Sequence, residues 1–296
     1  MFFFTLLFLF YPGDSYFFHL FAYNRGLFEQ KKHYISLKTN PIPIVKNTSV
    51  PEVSAEGIYV VDLPSFTPLL KRNEHGRFFP ASTTKIITAL VTRDLYKTED
   101  VITIKETTSE GQVMNLVYGE KMSIENMLYG LLVHSANDAA YSLANDYGYD
   151  VFVKKMNEKA QELHMTESFF TNPAGFDDAR QTTSPFDLAL TARQLLQDPY
   201  LSKIVGTKEI IISDVNYTYF HKLTNVNTLL GEIQGLGGLK TGYTENAGEN
   251  LVSFYKKNGN QYIIVVLKSL DRFTDTKNII KWIDESITYL PMPTYN

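Results

Sequence analysis

The sequence predicts an α+β protein: a sheet assembled from both ends of the chain, with a helical subdomain inserted between the two halves. Three observations carry this expectation. Runs of β-branched and aromatic residues stand at 57–63 and 69–72 and return after residue 209. Between them, apolar residues recur at helical spacing. A last helix-like stretch follows the final strands, so the order reads strands, helices, strands, helix.

Taken in order, the chain opens on an apolar run, Phe2 to Tyr11, broken by Pro12-Gly13-Asp14 and resumed from Phe17 to Tyr23. Ten residues suit the core of a signal peptide and fall short of the roughly 20 needed to cross a bilayer. Residues 1–23 are therefore read as an export signal or a membrane tether. Residues 24–53 read as a linker, because Pro41, Pro43 and Pro51 with Asn and Ser between them favour extended chain. The compact region is expected over 54–290, with 291–296 as a tail. Within it, Gly57–Leu63 is a strand with a return at Leu69–Arg72. Ile86, Ile87, Leu90 and Val91 mark a helix over Thr83–Tyr96. Ser123 caps a helix over Met127–His134, and further helices cover Asn137–Tyr147, Asp150–Leu163 and Ser184–Leu196. Strands return at Glu209–Ser213, Asn250–Lys256 and Gln261–Leu267, and a helix covers Thr274–Ile287.

Composition narrows the functional classes. A net charge of −4 with no basic run gives no reason to expect a nucleic-acid partner. The absence of cysteine removes disulfides, thiolate metal sites and a cysteine nucleophile. The six histidines, at 19, 33, 75, 134, 164 and 221, show no metal-ligand spacing, so no metal or cofactor is expected.

Three short motifs carry chemistry. Ser82-Thr83-Thr84-Lys85 stands at the start of a predicted helix, where positions three apart share a face and the lysine amine can reach the serine hydroxyl. A serine hydroxyl is a poor nucleophile without an adjacent base. A lysine serves if burial or a second cation lowers its pKa, and Lys240 is the candidate second cation. The pattern alone arises by chance: Ser253 and Lys256 repeat it, but in a predicted strand, where the two side chains point to opposite faces.

Ser135-Ala136-Asn137 falls in a turn between two predicted helices. Ser135 can pass a proton towards a leaving amine and Asn137 can bind a substrate amide; equally, Ser and Asn cap helices in any protein. Lys240-Thr241-Gly242 follows a glycine-rich stretch. On an edge strand it would let a peptide add alongside, with Lys240 and Thr241 holding a terminal carboxylate and Gly242 leaving room for the backbone. As a polar hairpin its glycines would only serve a turn. Each motif is weak alone; the three in this order are not expected by chance.

The ordered set, with Phe79–Lys85, Leu131–Ala140, Thr171–Asp178 and Gly238–Gly248, resembles the D-alanyl-D-alanine carboxypeptidases, low-molecular-weight penicillin-binding proteins of the S11 serine peptidase family. The likeness spans about Ser54 to Ile287. It implies a β-lactamase/transpeptidase-like fold, an antiparallel sheet flanked by helices with a helical subdomain and the site between them. It implies removal of the terminal D-Ala from peptidoglycan stem peptides ending in D-Ala-D-Ala, with β-lactam antibiotics as acylating inhibitors, in the cell envelope outside the cytoplasm. By motif position, Ser82 would be nucleophile, Lys85 its base, and Ser135 a proton carrier. Asn137, Lys240, Thr241, Gly242 and Arg272 would bind substrate, and the backbone N–H groups of Ser82 and Tyr243 would form the oxyanion hole. Members often add a C-terminal β-domain and an anchor helix. With the sequence ending at Asn296, the N-terminal apolar segment is expected to tether the protein instead.

Rival readings fare worse. A class A β-lactamase calls for Asp at Ala136 and a Glu in an E-x-x-L-N stretch, whereas Glu167 is followed by Ser-Phe-Phe-Thr-Asn. His134, Ser135 and Asp138 are close in sequence, but triads converge from distant segments and no G-x-S-x-G is present. A D,D-endopeptidase or weak transpeptidase would use the same residues. A non-catalytic module that binds wall peptides or β-lactams would be favoured by loss of a motif residue, and none is lost.

Overall fold

The computed structural model describes residues 41–46 and 49–290. The central sheet has five antiparallel strands: β2 (Gly57–Asp62), β3 (Pro68–Arg72), β8 (Leu236–Thr244), β9 (Gly248–Lys257) and β10 (Asn260–Ser269), ordered β3-β2-β10-β9-β8. Both ends of the compact region thus contribute, as the strand pattern predicts. The middle strands are buried on both faces, so β2 and β10 are continuous apolar runs rather than alternating ones. Alternation persists in where the side chains go. Ile58, Val60, Ile264 and Val266 face one cluster, built with Ile279, Trp282 and Ile283 of the helix α7 (Arg272–Ser286). Tyr59, Val61, Ile263 and Val265 face the other, built with the inserted helices.

The insertion begins with a 3₁₀ turn, Ala81–Thr84, running into α1 (Lys85–Leu95). The ribbon of β4 (Val101–Thr103) and β5 (Lys121–Ser123) follows, then α2 (Ile124–Leu132), α3 (Asn137–Tyr147), α4 (Tyr149–Glu162), α5 (Pro185–Gln197) and α6 (Pro199–Val205). Ser123 caps α2 by accepting the Asn126 N–H at 3.2 Å, and Ser184 caps α5 through the Asp187 N–H. A second ribbon pairs β6 (Glu209–Ser213) with β7 (Phe220–Thr224). Ile87, Val91, Phe152, Met156 and Phe170 form a separate apolar cluster joining α1, α3 and α4.

One boundary differs from the sequence reading. Ile42–Val45, inside the stretch read as linker, is strand β1, paired antiparallel with β11 (Ile287–Leu290). The ordered chain therefore begins before Ser54, and the C-terminal helix gives way to a strand. Pro43 is tolerated because a two-stranded ribbon leaves half of each strand's N–H groups outside the ladder. The apolar segment 1–23 and the tail 291–296 lie outside the described residues. Among the described residues no helix is long and apolar enough to cross a membrane.

Candidate active site

The 3₁₀ turn places Ser82 one turn ahead of Lys85, the first residue of α1. Lys85 Nζ lies 3.0 Å from Ser82 Oγ, 2.7 Å from Asn137 Oδ1 and 2.6 Å from the Ala174 carbonyl. A neutral amine has two hydrogens and one lone pair. Carbonyl oxygens only accept, so with the hydrogens on Asn137 and Ala174 the lone pair is left for the Ser82 hydroxyl. Burial, reinforced by the nearby Lys240 charge and opposed by Asp138, holds the Lys85 amine well below the ordinary lysine range. That is the state in which it can take a proton.

The turn is clamped from two sides. Ala81 has φ +47°, and Gly175 packs so closely beneath it that a Cβ there would fall 1.9 Å from the Ala81 oxygen. Gly175 also needs its φ of +94°. From the other side comes Gly242: a Cβ there would lie 3.0 Å from the Ser82 nitrogen and 3.1 Å from the Pro80 oxygen. Its bare backbone brings the edge strand β8 alongside the serine N–H. Asn250 Nδ2 anchors the same turn through the carbonyls of Phe79 and Pro80.

Ser135 stands in the turn between α2 and α3 with φ +62°. Its hydroxyl accepts from Lys240 Nζ at 2.8 Å, and the ammonium also reaches the Thr241 carbonyl at 3.0 Å. Burial, then the charge of Arg272, lowers the Lys240 pKa to about 7. Arg272 comes from the start of α7 and donates to the Gly242 carbonyl at 2.9 Å. Thr241 is buried beside Lys240, and the Tyr243 side chain is exposed. The structure thus brings Ser82, Lys85 and Asn137 into contact, joins Ser135 to Lys240, and sets Gly242 between Ser82 and Arg272, and β8 is an edge strand rather than a turn. The decoy behaves as expected: Ser253 is buried and Lys256 exposed on opposite faces of β9. His134 is engaged with Gln112 and Thr224, and the Asp138 oxygens take the Met114 and Leu116 N–H groups, so no Ser-His-Asp set forms. Among the described residues no histidine–carboxylate group is placed to hold a metal ion.

The sequence reading matched Thr171–Asp178 to the family but gave this loop no role in the site. Its Ala174 carbonyl accepts from Lys85, Asn172 Oδ1 collects the Gly175 and Phe176 N–H groups, and Asp177 holds Thr244, the last residue of β8, and Asn246 just beyond it. Gly175 was the available signal.

The two depressed lysines have a consequence for stability. Lys240 titrates near 7 when folded and near 10.5 when unfolded, so the unfolded chain binds more protons between these values. The stability this group confers is complete above about 10.5 and is lost as the pH falls to about 7. Lys240→Met should therefore show a shallower rise in urea midpoint from pH 7 to pH 9 than the wild type. Parallel curves would show that folding does not lower the Lys240 pKa.

The sequence profile of a family described as Peptidase_S11, D-alanyl-D-alanine carboxypeptidase, matches residues 44–270. The chain is 32% identical to the D-alanyl-D-alanine carboxypeptidase DacF of Bacillus subtilis, over 84% of this chain and 67% of that protein. It is 30% identical to a D-alanyl-D-alanine endopeptidase of Escherichia coli, covering 83% and 82%. The crystal structure of the Streptomyces K15 DD-transpeptidase superposes with a TM-score of 0.74 at 27% identity, covering 79% of this chain and 98% of that one. The chain spans 62% to 67% of the length of three curated carboxypeptidase relatives.

Proposed function

The chain belongs to the S11 peptidase family of D-alanyl-D-alanine carboxypeptidases, and from that premise we propose that it removes the terminal D-Ala from peptidoglycan stem peptides through an acyl-enzyme on Ser82. The observation that carries the reading is the buried Lys85 amine, 3.0 Å from Ser82 Oγ, with its pKa held well below the ordinary lysine range by burial. Lys85 takes the hydroxyl proton as Ser82 attacks the carbonyl of the penultimate D-Ala. The developing oxyanion is received by the backbone N–H groups of Ser82 and Tyr243. Ser135, in contact with Lys240, passes its hydroxyl proton to the departing amine and recovers one from the Lys85 ammonium, so that Lys85 is neutral again before water enters. Asn137 holds the substrate amide, Lys240 and Thr241 hold the terminal carboxylate beside Gly242, and Arg272 adds positive charge behind it. Water then cleaves the ester, with Lys85 activating it, and the tetrapeptide leaves.

β-Lactams mimic the D-Ala-D-Ala amide and carboxylate, and should acylate the same serine. The test is a mass-spectrometric time course of the protein with benzylpenicillin, with peptide mapping of the adduct and an assay of D-Ala release. An adduct on the Ser82 peptide with D-Ala release supports the reading. Intact drug and no adduct at any time would favour a module that binds wall peptides without turnover.

The carboxylate clamp makes a separate prediction. Lys240→Ala should raise KM about 10- to 100-fold for a peptide with a free C-terminus, the worth of about 1.5–3 kcal/mol for a charge-assisted hydrogen bond. An amide-capped peptide should lose less, and equal losses would remove the carboxylate role. The similarity to an endopeptidase favours cross-linked peptides as a second substrate of the same site, checked by offering a D-Ala-linked dimer. We place the enzyme at the outer face of the cell envelope, where this substrate lies, exported or tethered by its N-terminal apolar segment.

A further inference from the structure

A buried charge pair outside the catalytic set controls the loop against which Asn137 is held. His221, on β7, is almost fully buried with both ring nitrogens on acceptors: Nδ1 lies 2.9 Å from the Met114 carbonyl and Nε2 lies 2.6 Å from Glu120 Oε1. The other Glu120 oxygen takes the Val117 N–H at 2.8 Å. A carbonyl and a carboxylate both need a donor, and only the doubly protonated ring supplies two.

The loop so clipped, residues 110–120, is the one that carries Asn137's other bonds. Asn137 donates from Nδ2 to the Glu110 carbonyl and from its own N–H to the Gln112 carbonyl. Gly111 lies so close that a Cβ there would stand 2.6 Å from Asn137 Nδ2. Next along the chain, the Met114 and Leu116 N–H groups go to the two oxygens of Asp138, Asn137's neighbour on α3. Met114 is thus gripped at both ends, by Asp138 at its nitrogen and by His221 at its carbonyl.

We propose that His221 is a positioning residue: its doubly protonated ring, held between Met114 and Glu120, fixes the 110–120 loop and through it the Asn137 amide that orients Lys85 Nζ. The inference rests on the reading of Asn137 as part of the active site. The groups around the ring favour the charged form. Glu120 faces it from the loop, Asp138 from α3 and Asp214 from the hairpin turn, while His134 and Lys222 line the cavity alongside. The hydrogen bond that the ring donates to Glu120, outweighing burial, raises the His221 pKa above the ordinary histidine value. The stability it contributes is complete below the unfolded value of about 6.5 and is lost as the pH rises through the folded one. Losing that proton leaves either Met114 or Glu120 opposite a lone pair.

The experiment is the pH profile of benzylpenicillin acylation for wild type, Glu120→Gln and His221→Gln, beside an NMR titration of the His221 ring. The wild type should show an alkaline fall in acylation rate at the pH where His221 titrates, above 6.5. Glu120→Gln should move that fall at least one pH unit towards acid. His221→Gln should lower the rate about tenfold throughout and keep only the fall that Lys240 sets near pH 7. Coincident profiles for wild type and Glu120→Gln, or a ring that titrates at or below 6.5, would overturn the proposal. If the variants do not fold, the wild-type ring titration and the hydrogen-exchange readout of the loop decide. If the wild type takes up no penicillin, the functional reading fails by itself. The loop is then followed by hydrogen-exchange protection of the Met114 and Leu116 amides, expected to drop at least tenfold as His221 deprotonates. Unchanged protection would overturn the proposal on that arm.

Discussion

Ser82→Ala should form no adduct with benzylpenicillin and release no D-Ala, and Lys85→Ala should lose at least about a thousandfold in acylation rate, within the range general bases supply. The two substitutions separate nucleophile from base. Without Ser82 there is no atom to acylate. Without Lys85 the hydroxyl remains but its proton has only water to go to. Both proteins should fold. Ser82 is only partly buried, and its loss removes one hydrogen bond. Lys85→Ala leaves Asn137 Oδ1 and the Ala174 carbonyl without their donor, but also relieves the burial of an amine that gains nothing from an anionic partner in contact. Melting temperatures within about 5 °C of wild type are expected. Full acylation by Lys85→Ala in a folded protein would remove the base from the mechanism.

The second large effect is structural. Gly175→Ala should lower stability by more than about 3 kcal/mol and abolish acylation with it. Two penalties coincide there: a left-handed backbone at φ +94° and a methyl group driven 1.9 Å from the Ala81 oxygen. Ala81 cannot yield, since it is itself at φ +47° directly before the nucleophile. Gly148→Ala is the control. Its φ is +101°, but nothing lies within 4 Å of the added carbon, so it should lose only the backbone share, about 1–2 kcal/mol, and keep its acylation rate. Equal losses at both positions, measured by urea unfolding, would show that the close approach contributes nothing.

Side-chain chemistry was legible in the sequence where residue type and spacing coincide with one element. Ser82 and Lys85 could be paired because they share a helical turn, and the Ser253–Lys256 repeat could be dismissed because it does not. The long, periodic helix over Asn137–Tyr147 and the strand over Glu209–Ser213 were placed with their ends. What stayed hidden lacks a local signature. β1 and β11 are four residues each and exist only because they find one another across the chain. The helix α6 is seven residues long, too short for periodicity to declare itself. The Ala174 carbonyl that orients Lys85 is a backbone atom, and any residue there would supply it. The pairing of His221 with Glu120 joins positions 101 apart, in segments with no motif to link them.

The sheet order also says something about how this protein comes into being. At its centre β2 pairs with β10, with Asp62 opposite Tyr262, roughly two hundred residues later. During synthesis the first strand therefore waits for its partner while the helical insertion emerges. Ser82 leaves the ribosome well before Gly242, which brings the edge strand against it. Ser82 therefore lacks the surroundings described above until β8 has been delivered, so a chain cut short before that strand carries the serine without the groups that flank it.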